Sequence, residues 1–398
     1  MKILMLTPYL PFPLISGGQT RSYNLIKNLS KKHDITLFSL IKDNKEKKYI
    51  PELKKYCKKI FVFNRSKTPW TFRNILLTGF GPYPFLVIRN LAPDEKLAVK
   101  KELEREKYDI IHAETFYVMP HISDTEVPIL LVQQTIEYLV YKHFVEDQAP
   151  LLAKIPFWVD VMKLKFWETH FWKQANGVVA MSESDRKEML ELAPNLKIDI
   201  VPNGIDVDYF SALPRKEIIP ARVLYVGNFK WIQNVEAVNI LVNEVWPAIK
   251  KEIKKAKLWI VGMNITDKLK EYASEDIEIS EALPDIREAY SKASVLVAPI
   301  KGPGGTRLKI LEAMASGLPV VTTSVGAEGL GVINEKEALI SDDLDEVSKN
   351  AIKVLKDKEL SKKLGLYGKK FVESKYTWNK SAQILDNIYS KVIYDKKT

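Results

Sequence analysis

The sequence is poor in residues that build covalent or metal-based frameworks. Its 398 residues include a single cysteine, Cys57, and only five histidines, which have no metal-ligand spacing. One cysteine excludes an intramolecular disulfide and a multi-cysteine zinc site, and the scattered histidines do not favour a structural metal. We therefore expect neither a metal nor another cofactor.

Long uninterrupted hydrophobic runs are also missing. An uncharged stretch such as NILLTGFGPYPFLVI is broken by glycine and proline, so no transmembrane helix is predicted. The first residues, MKILMLTPYL, form a short apolar run that ends at proline and lacks the cleavage site of a signal peptide. The sequence predicts a cytoplasmic protein, with peripheral contact at the inner face of the cell membrane.

Positive charge is in excess, with a formal net charge of +10. This favours an anionic partner, which could be a nucleic acid, an anionic membrane or a phosphorylated substrate. The basic residues are spread over helix surfaces and form no contiguous face with stacking aromatics, so nucleic-acid binding is not expected. Lysines and tryptophans alternate in LLAKIPFWVDVMKLKFWETHFWKQ, a pattern that suits either a membrane interface or, our preferred interpretation, a helix packed on its own domain.

Short apolar segments typical of strands alternate with amphipathic helices along the whole chain, and this alternation restarts after residue 220. This pattern predicts an α/β protein with two doubly wound, Rossmann-like domains that face each other across a cleft. We expect an N-terminal domain over 1–205, a linker or hinge over 206–220 and a C-terminal domain over 221–375. The closing helix over 376–398 is predicted to pack back on the first domain.

The loop after the first strand, PYLPFPLISGGQTRSYNL, is the first candidate site. Gly17 and Gly18 lie directly before a predicted helix whose first turn carries Thr20 and Arg21. Free backbone amides and the positive end of a helix dipole make such a loop a natural anion cradle. The stretch is not the G-x-G-x-x-G fingerprint, which argues against a nicotinamide dehydrogenase.

The second candidate site is GPGGTRLKILEAMASGLPVV, residues 302–321. A helix that begins near Thr306 would point the amides of Gly305, Thr306 and Arg307 at an anion. Arg307 and Lys309 are unfavourable at a helix start unless a negative group binds there. Glu312 needs a partner on a largely buried helix, either a ribose diol or Lys309 one turn earlier.

Four segments together resemble the family 4 glycosyltransferases, which are retaining, metal-independent enzymes of the two-domain GT-B fold. They are VPNGID (201–206), LYVGNFKWIQN (224–234), GGTRLKILEAMASGLPVVTT (304–323) and GAEGL (326–330). The resemblance implies transfer from a nucleotide-sugar donor, UDP- or GDP-linked, to a glycan or lipid-linked acceptor. It places the enzyme in the synthesis of cell-surface polysaccharide or glycolipid.

The family's Glu-x7-Glu motif is only half present. Glu312 matches the second glutamate, which binds the ribose, but the first falls at Gly304. Basic residues that neutralise the diphosphate are replaced by Asn228 and Gln233, so Arg307 and Lys309 are expected to supply the charge, as in a subgroup with the loop Gly-Gly-Thr-Arg-Leu-Lys. The resemblance implies a donor-binding set of Gly17, Gly18, Asn203, Gly204, Lys230, Gly304, Gly305, Thr306 and Glu312.

The acceptor side is expected in the N-terminal domain. The resemblance and the positions at strand ends favour His112, Glu114 and Gln134 as acceptor-side candidates, although a histidine at a strand end is often structural. Glu137 joins Arg307 and Lys309 as a catalytic candidate. Two alternatives remain open: a non-catalytic nucleotide-sugar-binding partner of a polysaccharide assembly complex, and a nucleotide-sugar epimerase of the same fold.

Overall fold

The chain divides into two units in the computed structural model, which describes residues 1–147, 149–150, 154–213, 215, 218–302 and 307–397. The first unit comprises Met1–Pro202 and Trp378–Thr398, and the second comprises Asn203–Thr377. The division falls three residues before the predicted boundary. The segment predicted as a linker, 206–220, is counted in the second unit, where Phe210 is buried in the core.

The first unit is built on a parallel sheet of seven strands, in the order β3-β2-β1-β4-β5-β6-β7 within the described residues. Aliphatic side chains fill most of these strands, because a parallel sheet is covered on both faces. The strands are β1 (Lys2–Thr7), β2 (Asp34–Ile41), β3 (Lys59–Asn64), β4 (Ile110–Glu114), β5 (Ile129–Val132), β6 (Gly177–Ala180) and β7 (Ile198–Ile200).

Helices cover both faces of this sheet. Alternate residues of β1 enter different cores: Leu4 and Leu6 face one layer, and Ile3 and Met5 face the other. The helices are α1 (Gly17–Leu29), α2 (Ile50–Leu53), α3 (Phe72–Phe80), α4 (Phe85–Asn90), α5 (Pro93–Arg105), α6 (Glu137–Asp147), α7 (Lys154–Gln174) and α8 (Glu183–Leu192).

The second unit repeats the plan with a six-stranded parallel sheet in the order β10-β9-β8-β11-β12-β13 within the described residues. Its strands are β8 (Arg222–Asn228), β9 (Lys257–Met263), β10 (Ile277–Glu281), β11 (Val295–Ala298), β12 (Val320–Thr322) and β13 (Leu339–Ile340). Strands and helices alternate in both units and the alternation restarts after residue 220, which confirms the predicted α/β class.

The helices of the second unit pack around two cores, one on each face of the sheet. They are α9 (Val207–Ser211), α10 (Ile232–Ile240), α11 (Trp246–Glu252), α12 (Asp267–Lys270), α13 (Arg287–Lys292), α14 (Leu308–Ala315), α15 (Ser324–Ala327), α16 (Leu344–Lys356) and α17 (Lys358–Lys375). A π-helical turn, Leu241–Val245, joins α10 to α11. Pro247, which has no N–H to donate, follows this turn and accounts for the shifted hydrogen-bond register.

The closing helix, α18 (Trp378–Lys397), lies in the first unit. It packs beside α1 and places Leu385, Ile388 and Tyr389 in the core that also holds Ile3 and Met5. The chain enters the second unit near Ile205 and leaves it at Thr377, and these two residues form a β-bridge. The motif VPNGID is therefore close in space to residues 376–378, where the closing helix begins.

The tryptophan-rich segment forms α7, which packs on its own domain as our preferred interpretation predicted. Trp172 is fully buried beneath the helix, and Trp167 packs against the same core. None of the described helices is both long and apolar enough to cross a membrane.

Candidate functional site

Each sheet has one point where the strand order reverses, and the candidate residues gather at these two points. In the first unit the reversal lies between β1 and β4, and in the second between β8 and β11. Helices that follow neighbouring strands at such a point leave toward opposite faces, which opens a crevice at the carboxyl edge of the sheet. Ligands of doubly wound folds bind in this crevice.

In the second unit the crevice is bordered by the start of α14. The sequence predicted a helix from near Thr306, but α14 begins at Leu308, with Arg307 as its N-cap residue. Arg307 has a φ of −77° and a ψ of 67°, outside the helical region, so the helix cannot start earlier. The predicted contacts of Gly304, Gly305 and Thr306 lie outside the described residues.

Lys309 is the centre of a polar cluster in this crevice. Its Nζ donates hydrogen bonds to Tyr225 Oη at 2.9 Å and to Asn234 Oδ1 at 2.5 Å. The same Nζ lies 4.3 Å from the centroid of the Tyr225 ring, within the range of a cation–π contact. Tyr225 comes from β8, and Asn234 from the first turn of α10, so three elements meet at this ammonium group.

The protonation of Lys309 is finely balanced. Burial, followed by the nearby charge of Arg307, lowers the pKa of Lys309 to about 7, while Glu312 opposes the shift. Tyr225 and Asn234 are both neutral, so among the described residues the charge of Lys309 is balanced by the Glu312 carboxylate at longer range. An anion bound beside Arg307 and Lys309 would raise this pKa and hold both cations charged.

Glu312 lies one turn further along α14 and is half-buried. Tyr290 donates a hydrogen bond from Oη to Glu312 Oε2 at 2.6 Å, and burial raises the pKa of Glu312 despite this bond and the charge of Lys309. The sequence left open an ion pair between Glu312 and Lys309, but among the described contacts no such pair lies within 4.0 Å. Among the described residues, no hydrogen bond is found at the second carboxylate oxygen, Oε1.

The remaining donor candidates of this unit lie on loops at its edges. The side-chain oxygen of Asn228 accepts the backbone N–H of Lys230 at 3.1 Å, while the Lys230 side chain is exposed. Asn203 is half-buried and Gly204 is buried, and both directly precede the bridge at Ile205. Asn234, the residue after Gln233, contacts Lys309.

In the first unit, Gly17 and Gly18 form the first turn of α1 instead of a loop before it. Ser16 caps this turn by accepting the N–H of Gln19 at 3.3 Å. A Cβ atom on Gly18 would lie 2.5 Å from Tyr9 Oη and 2.6 Å from Gln134 Oε1, so glycine alone permits this close approach. The guanidinium of Arg21 is buried, with its Nε 3.8 Å from Glu114 Oε1.

The three acceptor-side candidates form one hydrogen-bonded cluster. One carboxylate oxygen of Glu114 lies 2.7 Å from His112 Nε2, and the other accepts a hydrogen bond from Gln134 Nε2 at 2.6 Å. Burial alone would raise the pKa of Glu114, but His112, Arg21 and Gln134 together hold it below its usual value. His112 and Glu114 are completely buried, whereas Gln134 is half-buried and also donates to Tyr9. Gln134 is thus the member with access to the crevice.

Glu137 opens α6 and lies next to a second buried carboxylate. Its Oε1 accepts the Tyr117 hydroxyl at 3.0 Å, and burial raises the pKa of Glu137. Below it, Glu168 accepts the backbone N–H groups of Glu137 and Tyr138, both at 2.9 Å, and so caps the helix from a distance in sequence. Sequence reasoning missed Glu168, whose only signal was a carboxylate on the apolar side of α7.

The described residues contain no group of three or more His, Cys, Asp or Glu side chains that could hold a metal ion. Lys309, Glu312 and Glu137 instead contact hydroxyl and amide groups, and Glu114 contacts Arg21, His112 and Gln134. Sequence reasoning also missed these partners, which include Tyr9, Tyr225, Asn234, Tyr290 and Tyr389, because single aromatic residues on strands and helices carry no local signal of a site.

Comparison with known families matches each half of the chain separately. Residues 15–209 match the model described as Glycosyltransferase Family 4, and residues 220–357 match the model described as Glycosyl transferases group 1. The match in the second half contains both the Lys309 cluster and Glu312. The match in the first half contains Gly18, Gln134 and Glu137.

Two curated relatives are similar over most or all of their length. An uncharacterized 44.6 kDa protein in the cps region of Klebsiella pneumoniae is 23% identical over 403 residues, which cover 98% of this chain and 99% of that protein. A UDP-Gal:alpha-D-GlcNAc-diphosphoundecaprenol alpha-1,3-galactosyltransferase from Escherichia coli is 20% identical, over 67% of this chain and 71% of the enzyme.

Solved structures share the fold at low identity. Sucrose-phosphate synthase from Thermosynechococcus elongatus has a TM-score of 0.73 and 18% identity, over 99% of this chain and 100% of that one. The Anabaena protein Alr3699/HepE in complex with UDP-glucose has a TM-score of 0.67 and 15% identity, over 98% and 100% of the two chains.

The two parallel sheets, with their crevices at the strand reversals, define the GT-B fold of two Rossmann-like domains. The two family matches add the activity to the fold. The chain is a glycosyltransferase of the family 4 type, with one matched domain in each half.

Proposed function

We propose that the chain is a retaining, metal-independent glycosyltransferase that moves a sugar from a UDP- or GDP-linked donor to a glycan or lipid-linked acceptor. The observation that carries this proposal is the start of α14, where Arg307 and Lys309 border the crevice of the second unit and Glu312 follows one turn later. The relative from Escherichia coli acts on a diphosphoundecaprenol-linked sugar, which supports a lipid-linked acceptor in polysaccharide or glycolipid synthesis.

The donor would bind with its diphosphate beside Lys309 and Arg307. A neighbouring anion favours the charged form of Lys309, so binding would take up a proton at a pH above the pKa of about 7. Glu312 would accept the hydroxyl groups of the ribose on Oε1, while Tyr290 holds Oε2. Backbone amides of Gly305 and Thr306 complete the proposed phosphate site, together with Asn203, Gly204 and Lys230.

Cleavage of the bond between sugar and phosphate leaves negative charge on the diphosphate. Arg307 and Lys309 would stabilise this charge as it develops, the role that a divalent cation has in other transferases. Because the two cations are fixed by hydrogen bonds before the donor binds, little reorganisation is needed during the reaction. This arrangement supports a mechanism that needs no metal ion.

The acceptor would bind against the first unit, where Gln134 and Glu137 line the carboxyl edge of β5 and the start of α6. Because Gly18 has no Cβ atom, Tyr9 and Gln134 can lie directly against α1, which fixes Gln134 at this edge. Burial raises the pKa of the Glu137 carboxyl above that of an exposed glutamate. A raised pKa suits a group that orients and polarises an acceptor hydroxyl. His112 and Glu114 would act from below, by holding Gln134 in place.

A lipid-linked acceptor also suggests where the enzyme works. We propose a cytoplasmic enzyme with peripheral contact at the inner face of the cell membrane, consistent with its net charge of +10. The comparisons do not favour the two alternatives, a non-catalytic binding partner or an epimerase, because both halves match transferase families.

The proposal is tested by a thermal-shift panel of UDP-, GDP- and ADP-sugars, followed by product analysis with an acceptor extract. A donor raises the melting temperature by mass action, and transfer then yields a product that keeps the anomeric configuration of the donor. Lys309→Met is the matched variant, since Tyr225 and Asn234 remain bonded to each other at 3.0 Å. A product of inverted configuration would overturn the retaining mechanism, and binding without turnover would identify a non-catalytic partner.

A further inference from the structure

Helix α3 is amphipathic in the reverse of the usual sense. Asn74 is its buried residue, and its side-chain amide donates to the carbonyl of Pro69 at 2.8 Å and to Ser66 at 3.1 Å. The apolar side chains point to solvent: Phe72 is 76% exposed and Phe80 is 90% exposed. A surface helix normally buries its apolar stripe, so this helix presents to the outside the face that others hide.

Polar contacts at both ends hold α3 in this orientation. Thr71 caps its first turn by accepting the N–H of Asn74 at 3.1 Å. At the other end, Lys163 from α7 donates from Nζ to the carbonyls of Thr78 at 2.6 Å and Gly81 at 2.8 Å. These carbonyls belong to the end of the helix, where a cation is favourable. The exposure of the apolar side chains is therefore built into the structure.

Helix α7 carries a matching stripe beside α3. Val159, Met162 and Phe166 follow one another at spacings of three and four residues, and each is more than half exposed. Contacts to α7 flank α3 on both sides: the ring centroids of Trp70 and Phe157 are 6.5 Å apart before α3, and Trp167 donates to the carbonyl of Pro82 at 2.9 Å after it. We call the joint surface the apolar face; it consists of Phe72, Ile75, Phe80, Val159, Met162 and Phe166.

The segment that carries α3 lacks acidic residues. Residues 65–93 contain no Asp or Glu and four Lys or Arg residues, of which Lys67 pairs with Asp43 at 2.8 Å and Arg65 and Arg89 are half-buried. Arg73 stands exposed on α3 itself, while both carboxylates of α7 are engaged elsewhere: Asp160 accepts the N–H of Phe85, and Glu168 is fully buried. Trp70, which is 63% exposed, stacks on Phe85 at the other end of α3. Clustered exposed apolar side chains of this kind mark an interaction surface.

We propose that the apolar face inserts into the interfacial layer of an anionic phospholipid bilayer. Helix α3 would lie in the plane of the membrane, with its aromatic side chains among the acyl chains and Arg73 among the phosphate groups. Charge complementarity favours this occupant over a second copy of the chain, since self-association through one shared face brings like cations together. The inference adds a membrane-binding surface to the proposed enzyme and does not depend on which sugar it transfers.

Vesicle sedimentation tests the proposal with the full chain. The wild type is expected to sediment with vesicles of equal parts phosphatidylglycerol and phosphatidylcholine, and much less with phosphatidylcholine alone. The double variant Phe72→Ser/Phe80→Ser should lose at least about tenfold in binding, because two large apolar side chains no longer enter the bilayer. The matched control is Leu97→Ser, which removes a side chain that is 54% exposed on α5 of the same unit; it should bind as the wild type does.

The contribution of charge is tested with Arg73→Glu, which should weaken binding to the anionic vesicles selectively. Both phenylalanines are exposed, so the double variant should keep the melting temperature and the nucleotide affinity of the wild type. Loss of nucleotide affinity would point to a failure of the proposed function instead. Equal sedimentation of the double variant and the wild type would overturn the proposal. So would light scattering that shows a wild-type dimer lost in the variant, without vesicle binding by either.

Discussion

His112 Nδ1 lies 2.6 Å from the hydroxyl group of Tyr389, although the two residues are 277 positions apart in the sequence. Both side chains are completely buried. The contact ties α18, which follows the second unit, to β4 at the reversal point of the first sheet. The far side of His112 binds Glu114, so the closing helix is connected through one imidazole to the acceptor-side cluster.

Removal of the Tyr389 hydroxyl should weaken the docking of α18. Tyr389→Phe leaves a buried ring nitrogen without its partner, which we expect to lower the free energy of unfolding by about 1–3 kcal/mol. Urea denaturation of the wild type and the variant measures this difference. Tyr367→Phe on α17, where the side chain is 39% exposed, is the control and should change little. An unchanged stability of Tyr389→Phe would mean that the bond contributes nothing to docking.

Glu312→Ala should weaken the binding of the nucleotide by about 1–3 kcal/mol, because hydrogen bonds to the ribose are lost. Isothermal titration calorimetry with the nucleotide that the panel identifies provides the measurement. Glu346→Ala removes a 47% exposed carboxylate from α16 of the same unit and should leave affinity unchanged. If a folded Glu312→Ala protein binds as tightly as the wild type, Glu312 does not contact the ribose.

Donor affinity should depend on pH through Lys309. Its pKa in the free protein is lowered to about 7, and a bound diphosphate raises it. The contribution of the charged amine is therefore fully present below the free-state pKa and declines as the pH rises above it. We expect affinity to fall by about tenfold between about pH 6 and about pH 9. In Lys309→Met the affinity should be low throughout and nearly independent of pH over this range; a parallel decline in the variant would assign the dependence to another group.

Arg307→Ala should lower kcat more than it raises KM. Charge on the diphosphate grows as the bond to the sugar breaks, so a cation at this position stabilises the transition state more than the ground state. The loss in kcat is expected to be about a hundredfold, as for other groups that stabilise developing charge. Steady-state kinetics in both substrates separates the two parameters. A raised KM at unchanged kcat would limit Arg307 to donor binding.

Activity should persist in the presence of EDTA. In the proposed mechanism Arg307 and Lys309 neutralise the charge on the diphosphate, so a metal ion is not needed for this role. Transfer rates measured with and without chelator, on protein dialysed beforehand, test this expectation. Abolition by EDTA with recovery on addition of Mg²⁺ would contradict the cation-based mechanism.

The sequence was sufficient for the architecture because local patterns determine it. Aliphatic runs such as ILMLT and VLVA can be covered on both faces only in a parallel sheet, and the helices between them set the crossovers. It also predicted Lys309 and Glu312 as site residues, since charges at a helix start within an apolar segment need a ligand or a partner.

Tertiary partners could not be predicted in the same way. Tyr225 meets Lys309 across 84 positions, and no spacing rule brings a strand tyrosine to a helix lysine. Helix α3 was not predicted, because its segment is interrupted by glycine and followed by prolines. Its apolar side chains also face solvent, which is the reverse of the pattern from which helices are recognised. The helix start at Leu308 depends on the backbone of Arg307, which sequence alone does not determine.

The central prediction is that a nucleoside diphosphate binds at the start of α14. The most direct test is photo-crosslinking with an azido derivative of the nucleotide found by the panel, followed by peptide mapping. The label should fall on peptides from 299–316 and from the start of α10 near Asn234, and unlabelled donor should compete with it. Labelling confined to other parts of the chain, with these peptides unmodified, would contradict the account.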